Sequence, residues 1–573
     1  MITPEGRKIN PVCPLSDYPT PQFRRDSFHC LNGKWEFSVE PKGEKPSYKY
    51  EILVPFAPET EASGLRLDIP KGHILHYRKK FVLPEELKHD RILLHFEAVD
   101  QVADVYLNGI HIAHHEGGYL PFTVDCLELK DGENEVVVDV TDDVDSPIYP
   151  RGKQTRNPNT IWYTQTSGIW GTVWLEGVPK QVIQSIDIQP DFDHKSVEIT
   201  AKFEGKMLSS SVRVLFGNKV VGEGSFDESF KVLIPLKEFH PWTPELPSLY
   251  DVEVIINEDK VHSYFGMRKF GTIEKDGHKV FALNGEPLFL SGVLDQGYYP
   301  ESGLTPPTDQ AMADDISKIK GLGFNMIRKH IKIEPMRWYY HADRLGIIII
   351  QDMINGGDVY SPWLLIAAPF LRLHYDDTVK SHKLGRKTPE GKGFFEKELP
   401  FVVARLRNCV SLGIWTLFNE GWGQFDAARL TGTLKELDPT RLIDSTSGWF
   451  DQGCGDFLSR HIYFRRIKLK PSPDRILALT EFGGYSLRDP SHSYSQKNFG
   501  YAKMKNRNQF NDKMAKLYRH QVIPAKKAGL SVAVLTQFCD VERETNGLFT
   551  YDRKVMKIDE KLMRELNEEL ING

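Results

Sequence analysis

Two glutamates, each at the end of an apolar run, are the residues of this chain best placed to do chemistry. Ser411-Leu-Gly-Ile-Trp-Thr-Leu-Phe418 leads into Asn419-Glu420-Gly421-Trp422-Gly423, and Ile476-Leu-Ala-Leu-Thr480 leads into Glu481-Phe482-Gly483-Gly484. Two carboxyl groups facing each other across a site are the minimum equipment for glycoside hydrolysis. One stays protonated and gives its proton to the leaving oxygen; the other, ionised, attacks the anomeric carbon. A separation of about 5–5.5 Å gives retention of configuration and roughly 6.5–9.5 Å gives inversion. Asn419, beside the first carboxyl, can donate to a sugar 2-hydroxyl. A lone Glu at a strand end more often pairs with a neighbouring Arg or Lys. Two at matching strand ends, each with a Gly one or two places on, point to chemistry.

The elements around them must bring those strand ends together. From about residue 280, apolar runs alternate with helix-length amphipathic segments. Strands are expected at Pro287–Gly292, Phe324–Arg328, Ile347–Ile350, Ser411–Phe418, Arg441–Asp444, His461–Phe464, Ile476–Thr480 and Ser531–Gln537. Helices are expected at Asp309–Lys320, Pro335–Leu345, Lys397–Arg407, Phe425–Leu437 and Met514–Ala528. The isoleucines at 347–350 suit burial on both faces, as in a parallel sheet. Strand–helix alternation on this scale predicts a (β/α)8 barrel, in which Glu420 follows the fourth strand and Glu481 about the seventh. Upstream the grammar is all-β. Short alternating runs fill residues 30 to about 180, and Asn108-Gly109 between Val105-Tyr106-Leu107 and Ile110-His111-Ile112 is a hairpin signal. These strands suggest a jelly roll, and residues 181–272 an immunoglobulin-like sandwich. The expected domains are 1–180, 181–272 and 273–573.

SLGIWTLFNEGWG resembles the acid/base signature of glycoside hydrolase family 2, and ALTEFGGY its nucleophile signature. LNGKWEF, HYRKKFVLP, VDQVADVYLNG and TSGIWGTVWLE are similar to the family's jelly roll, and GFNMIRKHIKIEPMRWYYHADRLGIIIIQDM to its second and third β/α units. The resemblance implies a jelly roll, a sandwich and a TIM barrel in that order, acting on terminal sugars with retention. It makes Glu420 the general acid/base and Glu481 the nucleophile, with a bell-shaped pH dependence.

Departures from the family pattern bear on the sugar. The galactosidase-like Asn-Arg-His-Glu is replaced by Asp295 and Gln296, which could contact hydroxyls instead. Arg328 is retained, but the family's His position is Ile331, with His330 one place early. The glucuronidase-like Asn-x-Lys is missing from Asp540–Thr550, leaving a sugar carboxylate without a cation there, so a neutral sugar such as galactose or arabinose ranks above a glucuronide. A galactofuranoside is a further alternative. His461 matches a position where relatives touch the sugar; Trp422 is a stacking candidate, with Trp449 and Tyr485 behind it. Asp352 could bond a hydroxyl or form a structural salt link. Ile161-Trp162-Tyr163-Thr164 reads as scaffold.

Composition bounds the rest. With 573 residues, 73 basic and 78 acidic side chains and a net charge of −5, the chain has no global basic field for nucleic acid. Its longest apolar stretches, Gly346–Ile350 and Leu364–Leu371, are far short of the ~20 residues that span a bilayer. Six scattered cysteines and no apolar leader suggest reduced thiols in a cytoplasmic protein. No metal and no cofactor is expected: neighbouring His114 and His115 point to opposite faces of a strand, and the reaction needs two carboxyls and water. The basic run Arg465–Lys470 reads as a solvated loop. The expected partner is a glycoside or oligosaccharide, with self-association through aromatic sandwich faces left open. A non-catalytic sugar binder and a transglycosylase are the competing readings.

Overall fold

The computed structural model describes residues 1–87, 89–358 and 375–573; the apolar stretch Leu364–Leu371 lies outside them. The first domain packs two antiparallel sheets face to face. One has six strands, in the order Tyr50–Val54, Gly33–Pro41, His73–Val82, Glu133–Thr141, Val102–Leu107 and Ile110–Glu116; the other has four, in the order Phe28–Cys30, Val173–Val178, Arg91–Phe96 and Phe122–Asp125. Alternation puts Trp35, Phe37, Tyr77, Leu94, Phe96, Val105 and Val138 in the shared core. The Asn108-Gly109 hairpin forms as read: Leu107 faces Ile110, and both turn residues have positive φ, 52° and 83°. His114 reaches Asp104 while His115 stacks on Phe122, so the two neighbouring rings do part company.

Sheets of three and four strands between Val182 and Phe265 form a small sandwich cored by Ile186, Val197, Val214 and Val254. The first residues of the chain leave the jelly roll and lie along its neighbours. Thr3 bonds Glu301, Thr308 bonds Glu5, and buried Arg25 ties Glu176 of the jelly roll to Asp259 of the sandwich at 3.1 and 2.8 Å.

The third domain is a parallel barrel of eight strands: β1 Leu290–Asp295, β2 Met326–Lys329, β3 Ile348–Asp352, β4 Leu412–Asn419, β5 Leu442–Ser447, β6 Phe457–Ile462, β7 Ile476–Gly483 and β8 Leu530–Thr536. Hydrogen bonds link them as β5-β4-β3-β2-β1-β8-β7-β6, and β5 and β6 meet side by side without a ladder, so the ring is nearly closed. Nearly every residue of these strands is buried, as both-face burial requires. Several elements extend beyond their expected bounds: β1 runs on to Asp295 and β5 to Ser447, β6 begins at Phe457, and the helix expected from Met514 begins at Arg507. The helix expected from Lys397 begins at Pro389, because Thr388 caps Gly391 N–H and Pro389 supplies the first turn, while Gly391 and Gly393 blur the periodicity. β7 runs on through Glu481 to Gly483.

The barrel floor is plugged by the hairpin Phe270–Lys275/His278–Leu283, whose Phe270, Phe281 and Leu283 pack under Leu290, Met326, Ile348, Ile414 and Val532. Phe281 is fully buried there. Phe281→Ala should cost about 3–5 kcal/mol by cavity formation, read as a lower denaturant midpoint with an unchanged m-value.

Candidate active site

At the C-terminal ends of the barrel strands, one guanidinium organises the floor of a pocket. Arg328, fully buried on β2, donates Nε and Nη2 to the two oxygens of Asp352 at 3.0 Å each. Nη2 also reaches Asn419 Oδ1 at 2.8 Å and Nη1 reaches Glu481 Oε1 at 3.1 Å. Three strand ends are thus fixed relative to one another by a planar, permanently charged fork. Because the Asn419 carbonyl oxygen is engaged, its amide N–H groups are the part left to donate into the pocket.

His461, near the end of β6, bridges the two carboxyls. Its Nδ1 lies 2.7 Å from Glu420 Oε1 and 3.5 Å from Glu481 Oε1, and its Nε2 lies 3.1 Å from Ser447 Oγ. Glycine is required opposite it: a Cβ on Gly448 would meet the imidazole at 2.5 Å. Tyr463, just past β6, donates its hydroxyl to Glu481 Oε2, and its ring stacks on Tyr501 with centroids 3.8 Å apart. Gly484 makes room for that stack, since a Cβ there would lie 2.2 Å from the Tyr501 ring. Glu420 itself sits at φ 52° and is held through its N–H to Ser447 O at 3.0 Å.

The two carboxyls are therefore close and unlike. One oxygen of Glu420 and one of Glu481 lie within 4.8 Å of each other, on the side of the short-separation class and short of the roughly 6.5–9.5 Å of the long one. Burial raises Glu420 above the usual carboxylate range, and the neighbouring Glu481 charge adds to it against the His461 hydrogen bond. Burial would also raise Glu481, but the charges of His461 and Arg328 and the Tyr463 hydroxyl hold it well below that range. One group keeps its proton where the other has lost it. Glu420, His461 and Glu481 also have metal-ligand spacing. A cation seated on Glu481 would, however, compete with the guanidinium already there.

The pocket above them is lined by Gln296, His330, Asn419, Glu420, Trp422 and Glu481, together with Lys153, Ile161, Trp162, Tyr463, Tyr501 and Glu544. Both amide atoms of Gln296 are buried with no partner among the described residues. His330, two places along from Arg328 and so on the same side of the chain, turns Nδ1 to Asp352 Oδ2 at 2.9 Å. Burial and the charge of Lys153 push its pKa down to about 4. The one-place shift from the family's His thus still delivers an imidazole to the pocket wall. Asp352 serves Arg328 and His330 and does not line the pocket.

Asp295 requires a correction. Register pairs it with Lys329, so its carboxylate faces Lys329 and Gly297 N–H, away from the Arg328 side. It belongs to a buried ion network that continues through Glu334 to Lys332. Trp422 is 4% exposed, edge-on to Trp162 at 4.9 Å, and donates Nε1 to Asp358 O at 3.3 Å. Trp449 packs behind it and Tyr485 lines a separate cavity.

Sequence reasoning missed the jelly roll's contribution. The segment from 151 to 164, of which Ile161–Thr164 was read as scaffold, is pinned to the barrel at both ends. Arg151 N and Gly152 N donate to Asn355 O at 3.1 and 3.0 Å; Thr164 N donates to Glu542 at 2.7 Å, and Tyr163 Oη to Glu544. Between these anchors it presents Lys153 and Trp162. Lys153 is 9% exposed; its carbonyl accepts from Tyr163 N–H at 2.9 Å, while its ammonium, 5.5 Å from the Tyr163 ring centroid, has no hydrogen bond or ion pair among the described residues. The sequence signal available was a cation inside the segment that precedes TSGIW; nothing in its spacing shows where it points.

Arg328→Leu would leave Asp352 and Glu481 buried without their cation, a loss of about 3–5 kcal/mol at neutral pH. With Arg328 present both carboxyls lie below their unfolded values, a stabilisation held above the ordinary carboxylate range and lost as pH falls. The gap in thermal midpoint between wild type and variant should therefore narrow on acidification.

Three family models match the chain in order: a glycosyl hydrolase 2 galactose-binding domain-like model over residues 65–170, a glycosyl hydrolases family 2 model over 181–268, and the family 2 TIM barrel domain over 274–478. Glu481 lies just beyond the last match, so its assignment here rests on geometry. The chain is 26% identical to a β-galactosidase of Leuconostoc mesenteroides over 72% of its length and 38% of that protein's, and 30% identical to one of Thermoanaerobacter pseudethanolicus over 56% and 46%. It thus spans less than half the length of these curated relatives. A solved β-glucuronidase of Ruminococcus gnavus superposes with a TM-score of 0.75 at 18% identity, covering 96% of this chain and 98% of that one, which establishes the shared fold.

Proposed function

Because the chain belongs to glycoside hydrolase family 2, we propose that it is a retaining exo-glycosidase that removes a terminal β-linked hexuronic acid. The reaction class rests on the short separation and opposite protonation of Glu420 and Glu481. A Glu481 oxygen attacks C1 as the bond from C1 to the glycosidic oxygen breaks, and the Glu420 proton passes to that oxygen. Water then attacks C1 from the vacated side, giving its proton to Glu420, while Glu481 departs. Asn419 donates to the 2-hydroxyl, a contact that strengthens as positive charge develops on the ring. Ile161 and Trp162 close the pocket from the jelly roll, which favours cutting at a chain end.

Lys153 supports the choice of sugar. Holding an ammonium in a pocket without an ion partner is costly, and a uronate carboxylate would supply that partner. The residues at Asp540–Thr550 offer no lysine, which ranked neutral sugars first; Lys153 reaches the same pocket from the other end of the chain and reverses that order. A pure binder has no use for two carboxyls of opposite protonation at one anomeric carbon.

Glu481→Ala should abolish hydrolysis of aryl β-hexuronides, and azide should restore product as the α-glycosyl azide. Glu420→Ala with azide should give the β-anomer. Product of the same configuration from both variants, or normal turnover by Glu481→Ala, would refute the assignment.

Lys153→Met should lower kcat/KM for aryl β-glucuronide or β-galacturonide by about a hundredfold, the scale of a lost buried charge pair of 3 kcal/mol. The rate on the matching neutral β-galactoside should not fall with it. Equal losses on both sugars would show that Lys153 merely supports the pocket.

A further inference from the structure

All six cysteines are free, yet the fold brings two of them together. Cys13 lies in the N-terminal segment, and Cys30 ends the jelly-roll strand Phe28–Cys30. The residues on either side of Cys13 are clamped to the turn that follows Cys30. Asn32 donates Nδ2 to Pro14 O at 2.9 Å, and Val12 O packs so closely on Gly33 that a Cβ there would lie 2.3 Å from it. Asn10 Oδ1 folds the segment from its other side, accepting from Val12 N–H at 2.9 Å. Both cysteines are half-buried, so their thiols meet each other and stay within reach of small solutes.

The two thiols are unequal. Cys30 donates its hydrogen to the Cys13 sulfur; that bond, against burial and with the charge of Lys79, brings Cys13 down to about 7. The same bond and burial push Cys30 up. Lys79 is fixed beside the pair, its ammonium donating to Lys34 O at 2.8 Å. A thiol with thiolate character is the nucleophile of such a pair, and a protonated neighbour in contact with it is placed to resolve the product. Cys126, Cys409 and Cys539 offer the contrast: they are buried, and burial pushes their thiols up.

We propose that Cys13 and Cys30 form an oxidation site, at which a peroxide converts Cys13 to a sulfenic acid and Cys30 resolves it to a disulfide that staples the N-terminal segment to the jelly roll. The Cys13 thiolate attacks one peroxide oxygen, the O–O bond breaks, and hydroxide leaves to take up the proton that Cys13 gave. The Cys30 sulfur then attacks the Cys13 sulfur. The S–O bond breaks, and the hydroxyl departs as water with the Cys30 proton. Two thiols lose two electrons, and hydrogen peroxide is reduced to two waters. The loop so closed contains Tyr18 and Arg25, whose hydrogen bonds to Glu176 and Asp259 join the jelly roll to the sandwich. Closing it restricts the unfolded chain and stabilises that junction. The site stands apart from the catalytic pair and from the choice of sugar.

The test exposes the reduced full chain to a small excess of hydrogen peroxide at neutral pH, denatures it in iodoacetamide and maps its peptides by mass without reductant. Wild type should lose about 2 Da, the mass of the two thiol hydrogens, located in a linked Cys13–Cys30 peptide and restored by dithiothreitol. The other four cysteines should be alkylated. C30A should stop at a Cys13 sulfenic acid that dimedone traps, and C13A should slow oxidation of Cys30 by about tenfold or more. The thermal midpoint of wild type should rise by a few degrees on oxidation, and that of C13A should not. Wild-type Cys13 and Cys30 that remain alkylatable, another cysteine that oxidises first, or Cys30 that reacts as fast in C13A would overturn the site. A linked pair with an unmoved or lowered midpoint would overturn the staple.

Discussion

The site depends on a single buried cation. Arg328 can remain charged in the barrel interior only because Asp352, Glu481 and Asn419 satisfy its donors from three other strands. The same contacts make Glu481 acidic enough to be an anion where burial alone would protonate it. The pairing of a buried guanidinium thus joins the charge of His461 in holding Glu481 ionised. Burial dominates at Glu420 and, with the neighbouring Glu481 charge, favours the opposite state. The asymmetry between two chemically identical side chains comes from the charges and donors gathered on Glu481, those of His461, Arg328 and Tyr463, against the burial that dominates at Glu420.

Strand parity distributes the remaining charges. On β2, Arg328 points to the pocket side and Lys329, its neighbour, to the other, where it meets Asp295 and Glu334. Two separate ion networks, one catalytic and one structural, are thus built from adjacent residues without contact between their cations. His330 rejoins the first network by the same parity.

How much of this was legible in sequence follows from the range of each interaction. The barrel could be read because buried parallel strands leave dense apolar runs, and Glu420 and Glu481 because each run ends at its carboxylate. Asp295 misled because the position at a strand end is visible while the side it faces depends on register with Lys329. Lys153 and Trp162 were invisible for a stronger reason. Their segment has no periodicity, and its placement is dictated by bonds to Asn355, Glu542 and Glu544, hundreds of positions away. The helix from Pro389 lost its first turns to two glycines that a Thr cap and a proline offset.

That bridging segment gives the molecule a division of labour. The two carboxyls belong to one folded unit while Lys153 and Trp162 come from another, the two joined by hydrogen bonds to Asn355, Glu542 and Glu544. Under the proposed function, drift in the loop between 151 and 164 would retune which glycosides are accepted while the strands that carry the carboxyls stay untouched. Strain that parts that seam would then leave Glu420 and Glu481 in place and withdraw Lys153 from beside them.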